Sequence, residues 1–159
     1  MVTIPGWKYK SKYITDISDM PEGCYGFIYE TFHIPTGKKY IGKKVLFFER
    51  NKKLGKKALA ALKEERKAKG IGGRTPLKQK VITESDWKDY YGSHKDILKY
   101  VKEGTPYDFN RKILCFVPNK KLLTYFECKY LFINEVLEQE DVYINDNVLG
   151  KFYRKDFIK

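Results

Sequence analysis

Residues 25–32 alternate between β-forming apolar positions and polar ones, Pro35-Thr36-Gly37-Lys38 carries turn chemistry, and residues 39–43 return in the extended pattern. The segment predicts a β-hairpin. The apolar period then lengthens. Leu54, Ala58, Ala61 and Leu62 recur at helical spacing among good helix formers, and Gly70-Ile71-Gly72-Gly73 stops that helix. A loop bearing Gly and Pro runs to Ser85, a short helix covers 94–103 and ends at Gly104, and 110–117 reads as a third strand. Residues 120–136, opened by Asn119, place Leu123, Phe126, Tyr130 and Ile133 on one stripe, the pattern of a helix packed on a sheet. The remaining 142–159 are polar and aromatic and too short for a separate domain. The order ββα, α, βα predicts an α+β fold, a small three-stranded antiparallel sheet flanked by helices.

Composition supports a packed core. The chain has 159 residues, 42% apolar and 16% aromatic, and a chain of this length buries roughly two thirds of its extended surface. Cys24, Cys115 and Cys128 are odd in number and lack metal-ligand spacing, which points to reduced thiols rather than a disulfide framework or structural zinc. No stretch approaches the ~18 apolar residues of a membrane span, and no apolar signal core opens the chain, so a soluble, intracellular protein is expected. The net charge of +12 changes the picture more. Eleven Lys or Arg (Lys52, Lys53, Lys56, Lys57, Lys63, Arg66, Lys67, Lys69, Arg74, Lys78 and Lys80) stand against Glu64 and Glu65 within 51–80. A segment of that one-signed density repels itself, and phosphates relieve the repulsion through counterion release. A merely solvated basic face is the plainer alternative.

Candidate chemistry gathers on the predicted hairpin. Gly26-Phe27-Ile28-Tyr29 lies on one strand and Tyr40-Ile41-Gly42 on the other, the tyrosines eleven residues apart. Arg50 follows Tyr40 by ten residues, with Lys43 and Lys44 nearer. Further on come Asp89-Tyr90-Tyr91-Gly92-Ser93-His94, Glu127 on the last helix, and Tyr143-Ile144-Asn145 after it. Together these resemble the GIY-YIG nuclease family, with Phe27 standing where the family usually has glycine. The likeness is to the phage-type branch of intron-encoded and free-standing homing endonucleases. It covers 23–148, leaving 1–22 as an N-terminal extension and 149–159 as a short tail. The stretch between Arg50 and Tyr91 is longer than in the shortest members, which marks 51–84 as a basic insertion.

The resemblance implies an endonuclease acting on duplex DNA with a single Mg²⁺ or Mn²⁺. Tyr29 would activate the attacking water, Tyr40 orient it, Arg50 hold the scissile phosphate, and Glu127 bind the metal. Tyr91 would fill the family's His, Tyr or Lys position, and Asn145 would brace the site. Physical chemistry adds a condition. A free phenol ionises near pH 10, so Tyr29 serves as a base only if cations such as Lys43, Lys44 or Arg50 favour phenolate. Glu135 is the alternative metal ligand and Tyr90 the alternative to Tyr91. His94 reads as a surface or capping residue, and His33 is given no role. Trp7 and Trp87 suit base stacking or the core. The basic residues of 52–80 would track the phosphate backbone. One protomer would nick, and a homodimer or two visits would break both strands. A catalytically inactive nucleic-acid-binding module of the same fold is the alternative.

Overall fold

The computed structural model describes residues 5–157. The chain divides into two compact units, one built from the chain up to Leu46 and from Asp86 onward, the other from Phe47–Ser85.

The larger unit is organised on a five-stranded mixed sheet rather than the predicted three. Strands β1 (Trp7–Tyr9), β2 (Lys12–Ile14), β3 (Gly26–His33) and β4 (Lys38–Val45) precede the second unit. The last strand of the sheet, Phe109–Val117, follows it and is numbered β7 below. In space the order is β2-β1-β7-β3-β4, with β1 parallel to β7 and all other neighbours antiparallel. The residues expected to form an N-terminal extension thus contribute two strands. Three-residue strands carry too short an alternation to be read from sequence. The hairpin forms as predicted, with Tyr29 opposite Gly42 and His33 opposite Lys38. Gly37 closes its turn at φ 70°, a conformation that glycine adopts without strain.

Each face of the sheet is covered, which explains why Gly26-Phe27-Ile28-Tyr29 is buried at every position. One face packs Phe27, Tyr29 and Ile113 with Trp7, Ile14, Met20, Leu46 and Trp87. Phe27 is fully enclosed, its ring edge-on to Trp7 at 5.0 Å and to Trp87 at 6.4 Å. Both tryptophans therefore belong to the core. The opposite face packs Ile28, Ile41 and Val117 against Leu123, Leu131, Val136, Leu137, Tyr143 and Val148.

The second unit is a β-hairpin, β5 (Phe47–Lys53) with β6 (Lys78–Glu84), whose long connection holds helix α1 (Lys56–Ala68). The predicted helix is present. The loop expected up to Ser85 is instead largely the strand β6, a seven-residue run so exposed that it shows no apolar alternation. No residue of α1 is buried; Leu54, Ala58, Ala61 and Leu62 line a groove with Pro76 and Lys78, Gln79 and Lys80.

Beyond β6, the larger unit resumes with α2 (Lys95–Glu103), β7 (Phe109–Val117) and α3 (Lys120–Ile133). Asn119 caps α3, its side chain accepting from the Leu122 amide at 2.9 Å. Leu123 and Leu131 are the residues that α3 buries, whereas Ile133, expected on the packed stripe, is 65% exposed. A small hairpin, β8 (Asn147–Val148) and β9 (Phe152–Tyr153), completes the unit. Among the described residues, no helix is long and apolar enough to cross a membrane.

Candidate active site

Strand β4 is an edge of the sheet, and the chain after α3 returns to cover part of it. The Lys39 amide donates to the Val142 carbonyl and the Ile144 amide to that of Lys39, each at 2.8 Å. At the next position a side chain takes over the ladder. Asn145 Oδ1 accepts from the Ile41 amide at 3.0 Å, and its Nδ2 donates to the Ile41 carbonyl at 2.8 Å. Asn145 is 5% exposed and makes both bonds in place of a strand backbone. Just beyond it opens a cleft of about 330 Å³, lined by Tyr40, Lys43, Glu127, His94 and Asp146 among others.

Successive side chains on β4 point to opposite faces, and this sorts the cations. Lys43 reaches α3, donating to Thr124 Oγ1 at 3.1 Å with its Nζ 3.7 Å from Glu127 Oε2. Lys44 points the other way, buried, paired with Asp86 and lying over the Tyr90 ring at 3.9 Å. Arg50 is on β5 in the second unit, exposed and opposite Val81. Arg50 is thus carried by a strand of the second unit. The cation that the larger unit brings to the cleft is Lys43.

The tyrosines occupy different depths. Tyr29 is 1% exposed and its ring centroid stands 6.3 Å from that of Tyr40, which lines the cleft. Behind Tyr29, Tyr90 lies edge-on at 5.8 Å. Burial pushes the Tyr29 phenol well above the ordinary tyrosine value, and Tyr90, Tyr40 and Glu127 reinforce the shift. The shift thus runs opposite to the charge assistance that phenolate needs, because enclosure dominates while Lys43 lies against Glu127 and Lys44 pairs with Asp86. Burial also raises Tyr40, against a hydrogen bond with Ser93 at 3.3 Å. Gly42 explains the close fit: a Cβ there would stand 2.5 Å from the Tyr29 hydroxyl oxygen.

Tyr91 faces elsewhere. Its ring packs on Phe109 at 4.9 Å and beneath the Arg111 guanidinium at 4.3 Å. From the run 89–94 the structure instead brings Tyr90 to Tyr29, and Ser93 and His94 to the cleft. His94 caps α2, its Nδ1 accepting from the Asp96 amide at 3.1 Å, so the other nitrogen faces Asp146 at 3.4 Å as the donor. Burial raises the Asp146 carboxyl, but bonds from Asn147 and His94 outweigh it and hold the group below the usual range. His94 and Asp146 could have been found in the sequence as polar neighbours of Tyr91 and Asn145. Their meeting could not, because 52 residues separate them.

Burial raises the Glu127 carboxyl, with Lys43 opposing. Glu135, the alternative ligand, is exposed just past the end of α3. Among the described residues no group of three or more His, Cys, Asp or Glu is arranged to hold a metal. Glu127 and Asp146 are the carboxylates of the cleft. That donor set fits a hard cation that keeps several waters and takes other ligands from a phosphate, as Mg²⁺ does, rather than a closed thiolate or imidazole site.

The remaining sequence-predicted cations lie on the second unit. Lys52 and Lys53 are on β5, Lys56, Lys57, Lys63, Arg66 and Lys67 on α1, Arg74 in the connection, and Lys78 and Lys80 on β6. All are exposed except Arg66, which is half-buried and donates to the Gly72 carbonyl at 3.0 Å.

An antiparallel hairpin carrying paired tyrosines, with a buried asparagine latched to its edge and a glutamate facing it from a packed helix, defines a protein of the GIY-YIG nuclease class. The family model described as the GIY-YIG domain of the putative endonuclease SegE matches residues 7–148, and the chain belongs to this family, in its phage-type branch. Comparisons with curated proteins and with solved structures give no match.

Proposed function

We propose that this protein is a metal-dependent endonuclease that hydrolyses phosphodiester bonds in duplex DNA. The observation that carries the reading is the cleft at the β4 edge, lined by Tyr40, Lys43 and Glu127, with the ring of buried Tyr29 6.3 Å from that of Tyr40. Tyr40 orients the attacking water through its hydroxyl, and Lys43 binds a phosphoryl oxygen. Tyr29 is the base. Burial opposes its ionisation in the free protein and an anionic phosphate would oppose it further, so Tyr29 serves as base only with added positive charge, which a divalent cation would supply when bound. Glu127, with Asp146 in the same cleft, would hold one Mg²⁺ or Mn²⁺, which when bound supplies charge to stabilise the phosphoryl oxygens and the leaving 3′ oxygen. Asn145 braces Ile41 and performs no chemistry. Arg50 holds substrate phosphate through its planar fork as part of the basic unit. The exposed lysines and arginines of 52–80 follow the DNA backbone.

Incubation with supercoiled plasmid tests this. The wild-type protein should produce nicked or linear DNA with Mg²⁺ and none with chelator. Tyr29→Phe and Glu127→Gln should each fall by about 10²–10⁴-fold, the usual worth of a positioned acid or base. Equal cleavage by Glu127→Gln, or by the wild type in chelator, would remove the metal assignment. One observation favours a second reading, a binding module without turnover: Tyr29 is nearly sealed from solvent. Salt-sensitive plasmid binding with no cleavage under any divalent metal would establish that alternative.

A further inference from the structure

The turn joining β8 to β9 lines the cleft beside Glu127 and has an unusual composition. The Lys151 amide donates to the Val148 carbonyl at 3.0 Å, and the two central residues, Leu149 and Gly150, lie at φ 57° and 62°. Positive φ at both positions is the sign pattern of a type I′ turn, for which Asn-Gly is the favoured pair. Leucine is a poor choice there, since its Cβ crowds the backbone in the left-handed region. Burial does not explain it: Leu149 is 51% exposed. The turn nevertheless presents that side chain firmly. Gly150 donates to Asn147 Oδ1 at 3.1 Å, and the Tyr153 hydroxyl donates to the Gly150 carbonyl at 3.0 Å. Immediately after β9, the Arg154 guanidinium donates to the carbonyls of Val136, Tyr143 and Asn145 at 2.6–2.9 Å. The arm that carries Leu149 is therefore tied to the residue that latches β4. Leu149 shares the cleft wall with Tyr40, Lys43 and Glu127.

We propose that Leu149 is a wedge that enters the base stack of duplex DNA next to the phosphate seated in the cleft, an inference that rests on the nuclease reading. A strained, rigidly mounted, exposed apolar side chain beside a phosphate site matches the way leucine and other apolar residues unstack a base step. A duplex, rather than an apolar protein partner, is the occupant because Lys43 on the same wall and exposed Lys151 after the turn offer cations to the phosphates that flank a base step. Unstacking at that step would hold the backbone in one register and turn the scissile phosphate toward Tyr40.

Unwinding can be read without cleavage. Closed circular plasmid is relaxed by a metal-independent topoisomerase in chelator, in the presence of the Glu127→Gln protein, then stripped of protein and resolved into topoisomers. Glu127→Gln should shift the distribution toward underwound forms in proportion to protein bound. The added substitution Leu149→Asn suits the turn and removes the wedge; it should bind plasmid at the same salt and give no shift. Bound Glu127→Gln protein that leaves the topoisomers unchanged, or an equal shift with Leu149→Asn, overturns the wedge. Self-association abolished by Leu149→Asn, with no unwinding, would assign the turn to a second copy of the chain and overturn it as well. A parallel wild-type digestion with Mg²⁺ separates the two ideas: cleavage without unwinding removes the wedge alone, and neither binding nor cleavage removes both.

Discussion

Replacing Asn145 with alanine should destabilise the larger unit far more than a surface change of the same size. The asparagine side chain satisfies both polar groups of Ile41, a residue that is 1% exposed, through bonds of 3.0 and 2.8 Å. Leaving a buried donor or acceptor unpaired costs about 1–3 kcal/mol, so losing both partners should cost about 2–6 kcal/mol. In a chain of this size that corresponds to a fall in Tm of roughly 5–15 °C. The assay is urea denaturation followed by tryptophan fluorescence. Trp7 and Trp87 are the only tryptophans in the sequence, both are buried, and both belong to the larger unit, so the signal reports that unit alone. Asn145→Asp is the informative control, since it keeps an acceptor for the Ile41 amide but sets a carboxylate oxygen against the Ile41 carbonyl. It should lose nearly as much. A loss below about 0.5 kcal/mol at unchanged m-value, the range of neutral surface changes, would refute the latch. So would an Asn145→Ala protein of normal stability whose cleavage had vanished, because the asparagine would then act in the chemistry.

Further outcomes follow from the same geometry. Gly42→Ala places a Cβ 2.5 Å from the Tyr29 hydroxyl oxygen. Overpacking of this kind costs about 1–3 kcal/mol, and the displaced Tyr29 should lower plasmid cleavage beyond what the lost stability explains; normal cleavage would show that the tyrosine tolerates the shift. Burial holds the His33 imidazole below the ordinary value of 6.5, against Asp108. The folded protein then binds fewer protons than the unfolded chain, so the His33 contribution is intact above about pH 6.5 and is lost as pH falls through the interval below it. His33→Phe, which can keep the stack on Tyr100, should show a flatter stability profile from pH 7 to 5.5; parallel profiles would contradict the shift. Removing Lys56 and Lys57 together should reduce the slope of log binding constant against log salt by about 2, weakening all sequences alike; an unchanged slope would take those lysines off the DNA.

Legibility in the sequence followed the range of the interactions. The β3–β4 hairpin, α1, α2, β7 and α3 were visible because turn chemistry, caps and periodicity lie within a few residues of one another. Strand β6 was not, since Lys78-Gln79-Lys80-Val81-Ile82-Thr83-Glu84 buries no face and so shows no alternation. The tyrosine pair, Glu127 and Asn145 could be named in advance through the family resemblance. The choice between Tyr90 and Tyr91 could not, because adjacent residues differ only in which packed surface they meet. Tyr90 meets Tyr29, and Tyr91 meets Phe109 and Arg111.

By itself, then, the sequence determined the hairpin, the family resemblance and the concentration of positive charge, all properties of local pattern and residue type. Tertiary structure decided the depth and the company of each group. It sealed Tyr29 among rings and so raised its proton affinity, because desolvation depends on what encloses a phenol. It turned Lys43 toward Glu127 and Lys44 toward Asp86, because side chains alternate across a strand whose two faces have different neighbours. It also brought His94, Asp146 and Leu149 to the same cleft. No local pattern encodes that meeting, since it depends on a chain that leaves α3, latches onto Ile41 through Asn145 and turns back past the site.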